Sequence, residues 1–536
     1  MVAVAAEPEP RTDNMSEGIM GWERRPDKPD TNAADAEGVI LTPERGMSPN
    51  GLIPASPASV GSRALRGAAA MAVSQYGIIA LNFGLFVALS RLLLPEDFGL
   101  VSLATFYAGL AGLCRGLGLD GALIHRQEEP EATAATHLFL QLVTAALALL
   151  IGSLMAAALW FFGQSALALV LVALCGIMLV DAAGSTARSL LEKDLRFPVT
   201  AAINVAAYVA GAATTILAAL SGWGLWSLVA GTATTQLALA GLAWAGLRRM
   251  VRPRRNRAIA AWMLRRWAPP MLAGSLLTTV LLQFDNFLVG NLLGLALLGY
   301  YDRAYRLATL PTGAITHVLS RVALPTYSAL QSDTSRLSRA FGLTAGLIAR
   351  GSALLAVATF VAAPEVVSIL MGESWLPVVE PLRFLLGYAV LRPLYDDTGA
   401  VLAALGRLDI MPTAMAVQAA IMIVLGPPSA FWWGVGGVAI CVNLAMLVGV
   451  AYVYARLRGL LELKLGSLLG PPAAAALVAL AGGLALSGAL PALDPWALLV
   501  VKVAAVGALF GGVLLILERA RLLHDLRLLR RLAPTP

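Results

Sequence analysis

Apolar runs of roughly twenty residues recur along this chain from residue 67 to residue 516. Each can cross a hydrocarbon layer of about 30 Å as a helix. Inside lipid every backbone N–H and C=O must be satisfied within the protein, which leaves helices and closed barrels as the spanning structures. A barrel requires alternating strands of about ten residues, and the sequence carries no such alternation. The chain is 58% hydrophobic and 13% charged, with a mean hydropathy of +0.76. A soluble domain carries about 25% charged residues. The chain therefore reads as an all-α polytopic membrane protein.

Fourteen helices are predicted, near 67–90, 98–122, 137–161, 166–190, 197–220, 223–247, 269–290, 297–320, 337–362, 376–404, 410–426, 435–456, 468–489 and 494–516. The connecting loops alternate in charge. One set holds Arg126, then Arg188, Lys193 and Arg196, then Arg321, Arg336 and Arg339, then Arg407, and last Arg456, Arg458 and Lys464. The other set holds essentially Arg91, with Lys502 near a helix end. The excess of positive charge in the first set marks it as cytoplasmic. Both termini then face the cytoplasm, which requires an even number of spans.

The first set also contains "RRMVRPRRNRAIAAWMLRRW", residues 248 to 267, with eight arginines. Such a run invites a nucleic-acid reading. A cytoplasmic connector touching anionic headgroups explains it with less, so no nucleic-acid partner is expected. The final "ERARLLHDLRLLRRL" is amphipathic and basic and is expected on the inner leaflet. Residues 1–60 differ from the rest, with ten acids and five bases and no apolar run. That composition predicts a disordered tail, without the apolar core of a cleaved signal peptide. Met15, Met20 and Met47 are alternative starts. Cys114, Cys175 and Cys441 fall inside apolar runs and read as small buried hydrophobes. No Cys/His cluster suits zinc, so no metal or other cofactor is expected.

The two halves of the chain resemble each other. "SRLLLPEDFGLVSLATF" lies over "GNLLGLALLGYYDRAYR" without a gap, which places Gly99 on Gly299. "VDAAGSTARSLL" lies over "YDDTGAVLAALG", which places Asp181 on Asp396 and Gly184 on Gly399. "GWGLWSLVA" lies over "WWGVGGVAI". These matches predict two pseudo-symmetric six-helix lobes and two appended helices. The division expected is a cytoplasmic tail at 1–62, an N-lobe at 63–247, a basic linker at 248–268, a C-lobe at 269–456, two extra helices at 457–516 and a basic amphipathic segment at 517–536. Both lobes start from the same side, so the pseudo-twofold runs along the membrane normal. Transporters built from such repeats hold substrate between them near the midplane.

Six arginines fall inside predicted spans: Arg115, Arg303, Arg306, Arg350, Arg383 and Arg392. A charge at bilayer depth costs from about 2.5 to more than 10 kcal/mol. Some have candidate partners one helical turn away, namely Asp302 for Arg306, Asp396 for Arg392 and Glu380 for Arg383. Arg303, Arg350 and Arg115 have no obvious local partner. At about 1.5 Å per residue, Arg303 and Arg306 sit roughly 10 and 15 Å below the outer surface. Cations held there imply a wet cavity or an anion, and the planar guanidinium fork suits phosphate. Among the buried acids, Asp285, Asp396, Asp397 and Asp181 are candidates for ion or proton coupling. Gln283, Asn286, Gln75 and Asn82 read as polar contacts between helices.

"SRLLLPEDFGLVSLA", "GLGLDGALIHRQE", "FDNFLVGNLLGLALLGYYDRAYRLATLP" and "SRVALPTYSALQSD" together resemble the polysaccharide transporter family. These are the O-antigen and exopolysaccharide flippases of the multidrug/oligosaccharidyl-lipid/polysaccharide exporter superfamily. The resemblance covers roughly residues 65 to 460, and its motif falls on Asp285, Asn286, Gly290, Gly294, Gly299, Tyr301, Arg303, Ala304, Tyr305 and Pro311. It implies twelve to fourteen helices, two lobes and a central cationic cavity. It also implies outward transfer of polyprenyl-pyrophosphate-linked glycan units by alternating access across a bacterial inner membrane. The last helix pair and the acidic tail lie outside the resemblance.

The expected function is thus a flippase, not an enzyme. Its expected partners are a lipid-linked anionic glycan, membrane lipids, a glycan polymerase and export machinery. No P-loop suited to ATP is present. Gly99, Gly299, Pro311 and Pro325 are candidate bend points for the rocking motion. Rivals are a peptidoglycan-precursor flippase, a cation-coupled drug exporter, a membrane glycan polymerase and a non-transporting scaffold. A drug exporter predicts an acidic cavity. A polymerase predicts a large loop outside the membrane, and the longest outward loop expected is "APEVVSILMGESWLP".

Overall fold

The computed structural model describes residues 57–247, 249–489 and 494–532. The expected disordered tail falls almost wholly outside the described residues. Among the described residues the chain forms helices and no strands. The first seven are α1 (Pro57–Leu92), α2 (Pro95–Ala111), α3 (Leu119–His125), α4 (Pro130–Phe161), α5 (Ser165–Lys193), α6 (Phe197–Leu220) and α7 (Leu225–Leu247). The next six are α8 (Arg257–Leu288), α9 (Leu295–Ala329), α10 (Thr334–Val361), α11 (Ala363–Leu370), α12 (Val379–Ala404) and α13 (Ile410–Arg458). The chain ends in α14 (Leu465–Ala489) and α15 (Pro495–Leu532).

Local chemistry sets where several of these helices begin. Pro95 and Pro130 occupy the first turns of α2 and α4, where a missing N–H costs nothing. Asn256 opens α8 by accepting from the N–H groups of Ala258 and Ile259, and Asp333 opens α10 by accepting from that of Arg336. Each cap satisfies donors the helix itself leaves orphaned.

Twelve helices among the described residues are long and apolar enough to cross a membrane. The expected count of fourteen is not reproduced, for two reasons. The predicted helices 410–426 and 435–456 are the two arms of α13, separated by a break in helical geometry at Gly434 (φ 57°, ψ −141°), and they count once among the twelve. The predicted helix 297–320 is α9, which is long enough to span but falls outside the twelve. Its Asp302, Arg303 and Arg306 explain its lower hydropathy.

Within the first seven helices, α4 packs on α5, α5 on α7, α6 on α7 and α1 on α6. In the following group α12 packs on α9, α10 and α13, and α8 packs on α13. The two groups meet chiefly where α2 lies along α9, and again where α2 lies along α8. The α2–α9 contact occurs at the start of both helices. A methyl at Gly99 would overlap the Leu295 carbonyl oxygen, and one at Gly299 would overlap that of Pro95. Both glycines sit within regular helix, so they allow close backbone approach and are not bends. The last pair, α14 and α15, docks on α10 through Ala353, Val357, Val361, Ala475, Ala479, Val506 and Phe510.

Candidate functional site

At the α2–α9 end of the molecule lies a cavity of about 490 Å³, bounded by α1, α2, α6, α7, α8 and α9. Its charged wall is a single turn of α9. Arg303 donates from Nε (3.1 Å) and a terminal nitrogen (2.8 Å) to one Asp302 oxygen. Arg306, one turn on, donates from Nε to the same oxygen at 3.0 Å. Two guanidinium groups therefore share one carboxylate, and the cluster carries a net positive charge. Arg303 is 6% exposed. Its guanidinium carbon lies 4.0 Å from the ring centre of Phe98 and 5.1 Å from that of Phe86. Stacking on these faces offsets part of the hydration the guanidinium has lost. The Arg306 side chain is 59% exposed, and its Nε is engaged on Asp302. Asn82, Thr105, Thr232, Gln283 and Asn286 complete a polar lining. A net cation facing a polar, water-accessible chamber is suited to bind an anion.

Of the six arginines singled out in the sequence, Arg303 and Arg306 come together at this cavity. The other four are placed elsewhere, and three residues expected to lack partners have them. Arg303 holds its chain neighbour Asp302. Arg115 donates to Asp181 at 2.8 Å, and Arg188 binds the other oxygen of the same carboxylate. Arg350 makes a forked pair with Glu518 of α15, at 2.8 and 2.9 Å. Arg383 reaches the Phe360 carbonyl oxygen at 3.3 Å and stacks on its ring, with no bond to Glu380 among the described contacts. Arg392 pairs with Asp396 at 2.9 Å, as its spacing predicts, and donates to the Tyr388 hydroxyl at 2.7 Å.

The candidate coupling acids divide in the same way. Asp181 and Asp396 have arginine partners. Asp285, 3% exposed, accepts from the Tyr301 hydroxyl at 2.9 Å and from the Asn286 N–H. Asp397, also 3% exposed, accepts from the hydroxyls of Tyr327 and Thr344, both at 3.2 Å. Both acids therefore sit among neutral donors.

Sequence reasoning passed over several groups that the fold makes prominent. Phe86 and Phe98 lie on other helices than Arg303, and no spacing rule links them to it. Glu518 was grouped with a surface segment, yet it is 3% exposed. Lys502, assigned to a helix end, pairs with buried Glu365 at 2.6 Å. In the first seven helices, fully buried His137 lies 3.3 Å from Asp120 and 2.8 Å from the Thr186 hydroxyl.

The family described as "Polysaccharide biosynthesis protein" matches residues 88–380. The succinoglycan biosynthesis transport protein ExoT of Rhizobium meliloti is 27% identical over 313 residues, covering 56% of this chain and 61% of that protein. The chain thus spans less than two thirds of this relative. The lipopolysaccharide biosynthesis protein WzxC of Escherichia coli is 23% identical over 66% of this chain and 72% of its own. Among solved structures, the lipid II flippase MurJ in an inward closed conformation superposes with a TM-score of 0.63 at 13% identity, over 84% of this chain and 99% of that one. An inward-facing multidrug transporter of the MATE family superposes with a TM-score of 0.57 at 18% identity, over 72% of this chain and 94% of that one. At such identities the superpositions establish a shared fold.

Proposed function

Because the chain belongs to the polysaccharide biosynthesis protein family, we propose that it is a flippase. It carries polyprenyl-pyrophosphate-linked oligosaccharide across the bacterial inner membrane by alternating access. The observation that carries this reading is the Arg303–Asp302–Arg306 cluster, an excess cation facing a cavity of about 490 Å³ lined by helices from both halves of the chain. A pyrophosphate supplies the anion such a cluster lacks, with Arg306 as the accessible donor and Arg303 as the fixed one. Arg115 and Arg350 already hold carboxylates, so the reading rests on the α9 pair. The polyprenyl chain stays in lipid while the headgroup passes between the lobes.

With the arginine-rich loops facing the cytoplasm, the Gly99–Gly299 contact lies at the outer end. Separation of α2 from α9 there is the outward-opening step. An anionic headgroup moving outward moves with an inside-negative potential, worth about 2.3 kcal/mol per charge per 100 mV. Asp285 and Asp397 are the buried acids best suited to proton coupling, since neither has a cationic partner in the contacts described above.

The test is glycan export in a strain lacking this gene, complemented at matched protein levels with wild type, Arg303→Ala, Arg303→Lys or a chain without its acidic tail. The reading requires that lipid-linked glycan accumulate inside without the gene. Wild type must restore export, Arg303→Ala must not, and Arg303→Lys must restore it only in part, since lysine keeps the charge but loses the planar fork. Unimpaired export without the gene overturns the assignment. Normal export by Arg303→Ala moves the anion site elsewhere.

A further inference from the structure

A second cavity, of about 840 Å³, lies between the first two turns of α4 and the linker that runs from α7 to α8. Arg249, Arg252, Arg254 and Arg255 line it from the linker, against a single acid, Glu131. None of these arginines takes part in an ion pair among the described residues. The facing wall is the N-terminus of α4, whose opening N–H groups have no acceptor inside the helix. A helix N-terminus carries partial positive charge and favours an anion. Both walls therefore attract negative charge, and phosphate suits the guanidinium forks.

The linker is held in place before any ligand arrives. The Arg254 N–H donates to the Ala135 carbonyl oxygen of α4 at 3.2 Å. Thr136 donates from its hydroxyl to the Arg254 carbonyl oxygen and accepts from the Asn256 N–H, both at 3.3 Å. Asn256 then caps α8. The arginines project from a backbone already fixed to α4, so an anion binds them without first ordering the loop.

The position of the cavity selects a lipid. It stands just ahead of the apolar body of α4, where Val143, Leu147, Leu150 and Leu154 form an exposed stripe suited to lipid. Met250, 81% exposed, stands among the arginines. An apolar side chain there fits the headgroup layer better than open water. Four guanidinium groups exceed what one phosphate engages, and the volume leaves room for a larger headgroup. Basic pockets at the cytoplasmic ends of membrane helices take such headgroups.

We propose that this cavity binds an anionic phospholipid whose headgroup carries two phosphates, clasped between α4 and the linker. With the arginine-rich loops cytoplasmic, the lipid comes from the inner leaflet. The first turns of α8 stay on the same half of the molecule, since Ile259 and Met263 pack against Leu119 and Leu140. The bound lipid thus braces the joint between the two halves. The site is separate from the Arg303–Arg306 cavity and does not rest on the flippase reading.

The test titrates the purified full chain in detergent with cardiolipin, which carries two phosphates, with phosphatidylglycerol, which carries one, or with inorganic pyrophosphate. Native mass spectrometry reads the occupancy. Wild type is expected to bind cardiolipin severalfold tighter than either of the others. Arg252→Gln, Arg254→Gln and Arg255→Gln together should weaken cardiolipin roughly 100-fold, from the usual worth of a basic residue near anionic lipid. Arg257→Gln, Arg265→Gln and Arg266→Gln together remove the same charge from the same basic run, outside the cavity lining, and should leave the affinity unchanged. All six arginines are exposed, so both triple variants should fold. Equal weakening by the two triples overturns the site and leaves only the diffuse charge of the run. Equal binding of cardiolipin and phosphatidylglycerol by wild type overturns the two-phosphate headgroup. Pyrophosphate binding as tight as that of cardiolipin overturns the lipid and makes the occupant a soluble phosphate.

Discussion

Gly99 and Gly299 bring the backbones of α2 and α9 into contact across the two halves of the chain, next to Phe98 and Asp302 of the cavity wall. Each lies where a side chain would drive its helix into the other's backbone, at the Leu295 and Pro95 carbonyls respectively. The contact is reciprocal, and the repeat superimposes one glycine on the other. It is also the place where α2 and α9 must part if the cavity is to open at that end.

Gly99→Ala and Gly299→Ala should therefore bias the protein toward the separated arrangement. Overpacking of this kind costs typically 1–3 kcal/mol, or a population shift of about 5- to 150-fold. Spin labels at the exposed positions Leu94 and Leu297, which are 67% and 42% exposed, should report a longer distance in either variant. An unchanged distance distribution would show that the contact does not govern opening.

Asp302→Asn leaves two adjacent guanidinium groups without their shared carboxylate. Breaking a buried pair in this way destabilises by about 3–5 kcal/mol. An anion that binds the folded state should return part of that stability by mass action. The thermal midpoint of Asp302→Asn should therefore rise with inorganic pyrophosphate more steeply than that of wild type. Parallel curves for the two proteins argue against an anion site at this cluster.

Arg350 and Glu518 fasten the middle of α15, at the break in that helix, to α10, and Lys502 with Glu365 fastens its beginning to α11. Glu518→Ala should destabilise by about 3–5 kcal/mol, because it strands a buried arginine. Arg350→Glu combined with Glu518→Arg should recover part of the loss. A double-mutant cycle on thermal unfolding reads the coupling directly. Additive effects would mean that the pair holds nothing together.

Arg407 and Asp409 form an ion pair in the loop between α12 and α13, and the guanidinium holds the Asp409 carboxyl below its usual range. A lowered folded-state value adds stability above the ordinary carboxylate range, and that stability is lost as pH falls through the lowered value. Both groups are exposed, so solvent screens the pair. Asp409→Asn should leave the thermal midpoint at neutral pH unchanged, and only a clear shift would give this pair a structural role.

The length and spacing of the apolar runs determined a bundle of membrane helices, because in lipid the backbone has no other partner for its polar groups. Helical period also determined the local ion pairs: Asp302 with Arg306 and Arg392 with Asp396 are one turn apart, and the fold keeps both. The repeat marked Gly99 and Gly299 as equivalent positions, although as sequence they suggested bends. Tertiary structure alone decided which arginines face the cavity. Arg115 and Arg350 look unpaired in sequence because their acids lie 66 and 168 residues away. Which helix faces meet depends on the packing of the whole bundle. A charge on a helix can be neutralised by any neighbour that packing brings within reach, and no local spacing rule encodes that neighbour.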